Sequence, residues 1–493
     1  MRWARTLLLA CGLLSCSPAA VPIRRAARSS LRDSDAALGP RVDRFVAGFG
    51  HRWGEAYAAS GYITVARDGQ VILARSYGRA NRDKDRNAGV DTRFRIGSLT
   101  KQFTAAAIVQ LAEKGLLHFE DPIRMHLRDY PQTGDAITVH HLLTHTSGIP
   151  EYEGDESLMK EPGRPHSRAE VLAAFKDRPL DFKPGERFSY SNSNYVLLGL
   201  IIEKASGHSY DDYLREHVLA PAGMHRTTAV DDPADADTAV GYIADLREVL
   251  VPAPTMDTSI LFAAGALRST ARDLIRWDRA LAGAEVVSGD SKQRMFTPGQ
   301  GDYAYGWNVS HDAGHVVLWH EGRTEGFTSY IGRAPDEGLV VIALFNNEIL
   351  EPAKIAGPVL HMALTGEAVD PPHERPVVPL DAASIVAVTG DYRLTEKSRT
   401  EAEARFPRGL VEQVLRLSII TAEGRLYMKP SRQPSVQLFR GENGAFFTKR
   451  DGIDLTAEFG SSGKGTHAER LRLRQEGFEG VYEQEGGHAR APR

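Results

Sequence analysis

A Ser-x-x-Lys tetrad lies where an apolar helix is predicted to begin, and it constrains this chain more than any other feature. Ser98 and Lys101 are its two ends, and the mostly apolar residues 102–107 follow it. Side chains three apart share one face of a helix, so the hydroxyl and the amine can meet there. Burial shifts a lysine toward its neutral form, which can take a proton from a hydroxyl. The tetrad is typical of a nucleophilic serine with a lysine base, although an N-capping serine beside an exposed lysine gives the same pattern.

Two further motifs follow the tetrad along the chain. Tyr190 and Asn192 form a Tyr-x-Asn triplet, and His320 and Gly322 form a basic-x-Gly triplet. The tetrad and these two triplets, in this order, make up the active-site set of the penicillin-recognising serine hydrolases. The chain resembles that superfamily over residues 38–366. It is most similar to the class C β-lactamase branch, because the second motif begins with Tyr.

The resemblance implies a role for each of these side chains. Ser98 would attack an ester or amide carbonyl and form an acyl-enzyme, with Lys101 as its base. Tyr190 would move protons as a phenolate or through the lysine, and would later activate the water that removes the acyl group. Asn192 would bind both Lys101 and the amide of the substrate through the two ends of its carboxamide. This chemistry needs no cofactor and no metal ion.

The third motif implies an oxyanion hole and also departs from the family pattern. The backbone N–H groups of Ser98 and of Arg323, the residue just past Gly322, would hold the oxyanion. True β-lactamases carry Lys where this chain has His320, and that lysine meets the substrate carboxylate. A histidine with a reference pKa of about 6.5 is mostly neutral at neutral pH, so it donates a hydrogen bond but supplies little charge. Esterases and D-aminopeptidases of the superfamily often carry His here, which favours ester or D-amino-acid peptide substrates over β-lactams.

The resemblance implies a β-lactamase-like fold of the α/β (α+β) class. In that fold an antiparallel sheet is flanked by helices, a helical region is inserted at residues 121–250, and the active site lies at the seam between them. Further on, a Pro-rich segment precedes a change to short strands, which indicates a small C-terminal all-β barrel or sandwich. The predicted domains are a signal peptide at 1–20, a tether at 21–36, a serine hydrolase domain at 37–366, a linker at 367–380 and the accessory all-β domain at 381–485.

The N-terminus has the pattern of an export signal. Arg2 and Arg5 precede an apolar run at residues 7–14, which is too short to span a bilayer. The residues before Cys16 resemble a lipoprotein cleavage box, which would leave Cys16 as an acylated first residue, and ordinary cleavage a few residues later is the alternative. The protein is therefore expected to be exported, either to the periplasm, to a membrane anchor or to the medium.

Composition narrows the possible partners. The formal net charge of −4 gives no reason to expect nucleic acid or an anionic membrane surface as a partner. Both cysteines lie in the export signal, so the mature domains are predicted to lack disulfides and cysteine metal sites. His141 and His145 have a helical spacing that could hold zinc, but no acidic third ligand is apparent. The expected partner is a small ester, amide or D-amino-acid peptide, with a membrane reached only through the anchor at Cys16. The oligomeric state is left open.

Two alternatives to an esterase or peptidase stay open from the residues. One is a true β-lactamase, and the other is a catalytically silent protein that holds peptidoglycan or a partner in its cleft. The complete set of Ser98, Lys101 and Tyr190 favours an enzyme, because a silent descendant could lose any of these side chains without penalty.

Overall fold

The computed structural model describes most of the chain, which forms two compact units on either side of residue 372. The predicted signal peptide lies outside the described residues. Among the helices that the structure describes, none is both long and apolar enough to cross a membrane. The described residues are 28–53, 55–153, 155–230, 235–245, 248–371, 375–406, 408–431, 435–449, 453–458, 467–475 and 478–485.

The first unit, before residue 372, combines helices with an antiparallel sheet. Its helices are α1 (Arg28–Trp53), α2 (Thr100–Glu113), α3 (Ile123–His126), α4 (Val139–Leu143), α5 (Glu156–Met159), α6 (Arg168–Ala173), α7 (Asn192–Ser206), α8 (Tyr210–Tyr213), α9 (Phe262–Gly265), α10 (Ala271–Ala282), α11 (Gly289–Phe296) and α12 (Pro352–Thr365). Its strands are β1 (Gly61–Arg67), β2 (Gln70–Tyr77), β3 (Phe94–Arg95), β4 (Tyr242–Ala244), β5 (Leu250–Pro252), β6 (Arg268–Ser269), β7 (Asn308–Asp312), β8 (His315–Thr324), β9 (Phe327–Ala334) and β10 (Leu339–Phe345).

The central sheet has six strands in the order β2-β1-β10-β9-β8-β7, and every neighbouring pair is antiparallel. All seven residues of β10 are buried, and they contribute alternately to two hydrophobic cores. Val341 and Ala343 pack with α1 and α12 on one face, whereas Val340 and Ile342 pack with the helical body on the other. Because both faces are covered, this strand has a continuous apolar sequence instead of an apolar and polar alternation.

Part of the predicted tether is helical. Residues 28–36 form the first part of α1, where Asp35 pairs with Arg67 of β1 at 3.4 Å. The prediction of a flexible segment rested on its Arg, Ser and Asp content and was wrong for these residues. They are continuous with the apolar stripe of α1, whose Val42 and Phe45 are buried under the sheet, so the helix extends backward from that anchored part.

The three motifs lie at places where elements of the first unit meet. Ser98 lies in a 3₁₀ turn, Gly97–Leu99, that runs directly into α2, and α2 is buried on all sides from Thr100 to Leu111. The Tyr-x-Asn triplet leads into α7, whose first residue is Asn192. The basic-x-Gly triplet lies within β8. The site is therefore at the seam between sheet and helical body, as the resemblance implied.

The described residues of the second unit form an all-β barrel accompanied by three helices. Its strands are β11 (Gly390–Leu394), β12 (Arg416–Ala422), β13 (Arg425–Pro430), β14 (Val436–Arg440), β15 (Phe446–Phe447), β16 (Asp454–Glu458), β17 (Arg470–Gln475) and β18 (Phe478–Gln484). They close on themselves through the pairing of β11 with β18. Its helices are α13 (Ala382–Val388), α14 (Glu396–Arg405) and α15 (Arg408–Val414). The predicted small all-β domain is thus a closed barrel.

Candidate active site

Ser98 and Lys101 are in direct contact. The Nζ atom of Lys101 lies 2.9 Å from the Oγ atom of Ser98, and Lys101 is fully buried whereas Ser98 is partly exposed. Neither the 3₁₀ turn nor α2 has a side-chain cap at its N-terminus, so Ser98 does not act as a capping residue. The structure therefore supports the interpretation of the tetrad as a nucleophile beside a base.

Lys101 is placed so that its neutral amine points a lone pair at the serine. Besides Ser98, Nζ contacts the Oδ1 atom of Asn192 at 2.6 Å and the carbonyl oxygen of Ala264 at 2.9 Å. Carbonyl oxygens only accept hydrogen bonds, so the two N–H bonds of a neutral amine go to Asn192 and Ala264. The remaining lone pair then faces the Ser98 hydroxyl and can take its proton.

The environment of Lys101 also favours the neutral form. Burial lowers the pKa of Lys101 from 10.5 to about 7, against the opposing effect of the carboxylates of Glu153 and Glu151. A substantial share of the amine is therefore unprotonated at neutral pH, which a general base requires.

The pH dependence of acylation should report this pKa. We expect the acylation rate constant to rise about tenfold per pH unit below pH 7 and to level off above it, because only the neutral amine accepts the proton. Stopped-flow measurement of the burst with p-nitrophenyl acetate, which does not titrate in this range, isolates the enzyme's own ionisation. A rate constant that keeps rising toward the ordinary lysine pKa of about 10.4 would contradict the assignment.

Tyr190 lies against both members of the tetrad. Its ring centroid is 4.8 Å from the Nζ atom of Lys101, and a hydrogen bond links its hydroxyl to Ser98. Burial raises the pKa of Tyr190 well above its ordinary value, and the hydrogen bond to Ser98 acts in the opposite direction. Of the two routes that the resemblance left open, the structure favours proton movement by a neutral phenol through Lys101 over a standing phenolate.

Two glutamates that the sequence did not single out complete the surroundings of Asn192. Its Nδ2 atom donates to the carboxylate oxygens of Glu151 and Glu153 at 3.1 and 2.9 Å. Glu151 also accepts from the backbone N–H groups of Tyr152 at 2.8 Å, of Glu153 at 2.9 Å and of Asn192 at 2.7 Å. Both hydrogens of the Asn192 amide are therefore engaged by carboxylates and not directed to a substrate.

The two carboxylates differ in the hydrogen bonds that they accept. Burial raises the pKa of both groups, and the charge of Glu151 raises that of Glu153 further, well above its usual range. The backbone N–H groups around Glu151 act against this shift. Glu151 is thus bound by the start of α7. The ionised form of Glu153 is disfavoured by burial and by Glu151, and its carboxylate can accept a hydrogen bond from a further donor.

The backbone around the predicted oxyanion hole is packed without space for side chains. Gly97 has a φ of +50°, and a Cβ atom there would lie 2.7 Å from the backbone nitrogen of Arg323. A Cβ atom on Gly322 would lie 2.0 Å from the carbonyl oxygen of Ile96. Glycine at both positions lets β8 approach the turn that carries Ser98, so the N–H group of Arg323 lies beside that turn. The Arg323 side chain turns to the carbonyl oxygen of Glu348, at 2.5 Å.

His320 differs from the sequence-based expectation. Its side chain is 3 % exposed, and both ring nitrogens have protein partners: Nδ1 lies 2.6 Å from the carbonyl oxygen of Glu321, and Nε2 lies 3.0 Å from the hydroxyl of Tyr303. Burial and the charge of Lys101 lower its pKa to about 3. His320 is therefore held neutral further below neutral pH than its reference pKa implies, and both ring nitrogens are engaged within the protein.

His141 and His145 have separate structural roles. The Nδ1 atom of His141 accepts from the backbone N–H of Thr138 in a capping box at the start of α4. His145 lies beyond the end of α4 with a φ of +55°, and its Nδ1 atom is 3.2 Å from the backbone nitrogen of Ser191. The two residues thus do not share a helix face. Among the described residues, no group of three or more His, Cys, Asp or Glu side chains is arranged to hold a metal ion.

The antiparallel sheet, the site at its seam with the helices and the Ser-Lys-Tyr set together define a serine hydrolase of the β-lactamase fold. The chain belongs to the β-lactamase family, whose model matches residues 42–361. Penicillin-binding protein 4* of Bacillus subtilis is 29% identical over 436 residues, which cover 83% of this chain and 92% of the relative. Among solved structures, the octameric penicillin-binding protein homologue from Pyrococcus abyssi is similar with a TM-score of 0.58 and 27% identity, covering 85% of this chain and 95% of that one. A D-stereospecific amidohydrolase from Streptomyces is similar with a TM-score of 0.56 and 25% identity, covering 67% of this chain and 99% of that one.

Proposed function

We propose that this protein is an exported serine hydrolase that cleaves amides of D-amino acids carrying a free amine, through an acyl-enzyme on Ser98. The observation that carries the substrate class is the pair of carboxylates, Glu151 and Glu153, at the Nδ2 atom of Asn192. The Asn192 side chain connects them to the Ser98–Lys101 pair, because its Oδ1 atom contacts Lys101. The similarity to a D-stereospecific amidohydrolase supports the D configuration.

The carboxylates select for positive charge close to the reacting carbonyl. An ammonium group next to that carbonyl could donate to Glu153, which in the free enzyme accepts from the Asn192 amide. Its charge would favour ionisation of Glu153, which burial and Glu151 oppose. A substrate carboxylate at the same place would be repelled. A charge-assisted hydrogen bond of this kind contributes about 1.5–3 kcal/mol, or roughly 10- to 100-fold in kcat/KM.

The chemical steps follow from the contacts in the site. The Oγ atom of Ser98 attacks the amide carbon, and its proton passes to the neutral amine of Lys101. The backbone N–H groups of Ser98 and Arg323 stabilise the oxyanion. The proton then returns through Tyr190 to the leaving amine as the carbon–nitrogen bond breaks. A water molecule, activated by the same groups in reverse, hydrolyses the acyl-serine ester and frees the acid product.

Export belongs to the same proposal. The basic and apolar pattern of residues 1–20 supports secretion, and Cys16 supplies the site for a lipid anchor. The product would then form outside the cytoplasm, in the periplasm or at the membrane where the anchor holds the enzyme.

The test compares a free and a blocked amine. We expect D-phenylalanine p-nitroanilide to be cleaved about 10- to 100-fold better than its N-acetyl derivative, and Glu153→Gln to remove most of this preference. Glu161→Gln is the matched control, because Glu161 follows just after α5 and its exposed carboxylate pairs with Arg164 at 3.1 Å. This control should leave the preference unchanged.

Several outcomes would overturn the proposed substrate class. Equal cleavage of the free and blocked substrates by the unaltered enzyme would remove the role of the carboxylates. Faster turnover of nitrocefin than of either anilide would favour the β-lactamase alternative. A fluorophosphonate probe that labels no serine would favour a silent binding protein.

A further inference from the structure

Tyr303 is a buried tyrosine outside the three motifs that contacts the active-site histidine. It follows a 3₁₀ turn, Gln300–Asp302, and its side chain is fully buried. Its hydroxyl lies 3.0 Å from the Nε2 atom of His320. Neither its position in the chain nor its residue type suggested a role in the site.

The partners of the His320 ring determine where its proton lies. The Nδ1 atom is 2.6 Å from the carbonyl oxygen of Glu321, and a carbonyl oxygen can only accept, so Nδ1 carries the hydrogen. In a neutral ring the Nε2 atom then has a lone pair, which accepts from the Tyr303 hydroxyl. The protein therefore satisfies both nitrogens from within, with one donor and one acceptor.

The Tyr303 hydroxyl also contacts Tyr195. Tyr195 donates its own hydrogen to the carbonyl oxygen of Leu143 at 3.1 Å and accepts from the backbone of Gly306, so toward Tyr303 its oxygen can only accept. The single hydrogen of Tyr303 therefore has two possible acceptors, the Tyr195 oxygen and the Nε2 atom of His320. An imidazole nitrogen is a stronger acceptor than a phenol oxygen. The Tyr303 hydrogen is therefore directed to His320.

We propose that Tyr303 is a positioning residue that holds His320 as a neutral Nδ1–H tautomer and thereby keeps a cation out of the subsite beside Gly322 and Arg323. The part that concerns substrates rests on the proposed function. In the related β-lactamases a lysine at the position of His320 meets the substrate carboxylate. Here the corresponding side chain neither carries a charge nor has a free N–H, so the enzyme favours amides whose leaving group has no carboxylate.

The groups that face His320 reinforce this neutral state. Lys101 opposes a second positive charge, and the Tyr190 and Tyr303 rings lie 6.3 and 5.8 Å from the imidazole, centroid to centroid. His145 is close enough for its own ionisation to be opposed by a charge on His320. A hydrogen bond to Nε2 stabilises only the neutral ring, so removing it should raise the pKa of His320.

The test replaces Tyr303 by phenylalanine, with Tyr305→Phe as the matched control. Tyr305 is a buried tyrosine two residues away whose hydroxyl likewise contacts a histidine, the Nδ1 atom of His140, at 2.8 Å. In the protein labelled with ¹⁵N-histidine, NMR should show His320 with hydrogen on Nδ1 alone between pH 5 and 8. Tyr303→Phe should shift the Nε2 resonance and raise the pH at which His320 titrates, whereas Tyr305→Phe should leave both unchanged.

A second measurement tests substrate selectivity. On acidification, Tyr303→Phe should raise the kcat/KM ratio of a D-amino-acid dipeptide with a free carboxylate over the corresponding dipeptide amide, and the unaltered enzyme and Tyr305→Phe should not. Hydrogen on Nε2 in the unaltered protein would overturn the proposal even if the variant does not fold. An unchanged His320 spectrum in a folded Tyr303→Phe protein would overturn it as well. The NMR result does not depend on turnover, so failure of the proposed function would appear separately, as lack of cleavage by an enzyme whose His320 tautomer is as stated.

Discussion

Replacing Ser98 by alanine is expected to abolish acylation, with a loss in kcat/KM of at least about 10⁴-fold, while the fold stays intact. The hydroxyl is the atom that bonds to the acyl group, and no other described group occupies its place between Lys101 and Tyr190. Because Ser98 caps neither α2 nor the preceding turn, its removal breaks only contacts within the site. Intact-mass spectrometry after treatment with a fluorophosphonate probe measures the adduct directly.

Two further variants test this prediction. Lys101→Met should lose nearly as much activity, and the double variant should lose little more, because the members of one catalytic unit are not additive. Ser157→Ala is the control, since Ser157 is an exposed serine in α5, a few residues after the two glutamates, and its backbone N–H and hydroxyl donate to Asp155. An adduct that survives Ser98→Ala, or that maps to another residue, would end the assignment.

The catalytic set could be predicted from the sequence because each of its motifs is short and local. Ser98 and Lys101 meet through the geometry of one helical turn, and Asn192 is fixed by the start of α7 two residues after Tyr190. Within each motif, the spacing of the residues in the chain therefore largely determines their relative positions. Only the contact between the separate motifs depends on the tertiary fold, and there the resemblance supplied the arrangement.

The residues that the sequence did not indicate reach the site through tertiary contacts alone. Glu151 and Glu153 flank Tyr152 in a loop, and they meet Asn192 because the backbone of that loop runs past the start of α7. Tyr303 approaches His320 from a turn in a different part of the chain. The two acidic residues on either side of Tyr152 were the one available signal. The state of His320 likewise depends on burial, which a reference pKa does not include.

In the accessory domain, too, the sequence predicted the architecture better than the individual elements. Residues 386–388 are a short apolar run inside the predicted all-β domain, but they end α13, which begins where the Asp381 side chain accepts from the backbone N–H of Ser384. A capping residue thus outweighed the β-propensity of a short apolar run. The regular alternation in β17, with Leu471 and Leu473 inside and arginines outside, was a strand signal that the sequence did contain.

Replacing Gly322 by alanine is expected to reduce kcat/KM by about 10²- to 10³-fold, the usual effect of losing one oxyanion donor. A Cβ atom at this position would lie 2.0 Å from the carbonyl oxygen of Ile96 and 2.5 Å from the Oγ atom of Ser329. The carbonyl of Ile96 belongs to the backbone and is also held by a 2.8 Å hydrogen bond from Ser329, so it cannot simply rotate away. The strand β8 must therefore move away from the Ser98 turn, and the N–H group of Arg323 moves with it.

The effect should fall on the transition state and not on the ground state. Because the oxyanion forms only during reaction, kcat should drop with little change in KM, for esters and amides alike. Gly357→Ala is the matched control, since apart from its chain neighbours a Cβ atom there meets nothing within 4 Å in the middle of α12, and it should leave kcat unchanged. If Gly322→Ala instead kept full kcat, or if it lowered kcat only in proportion to a loss of folded protein seen by thermal melting, then Arg323 would not supply an oxyanion donor. The close approach of β8 to the Ser98 turn would then serve packing alone.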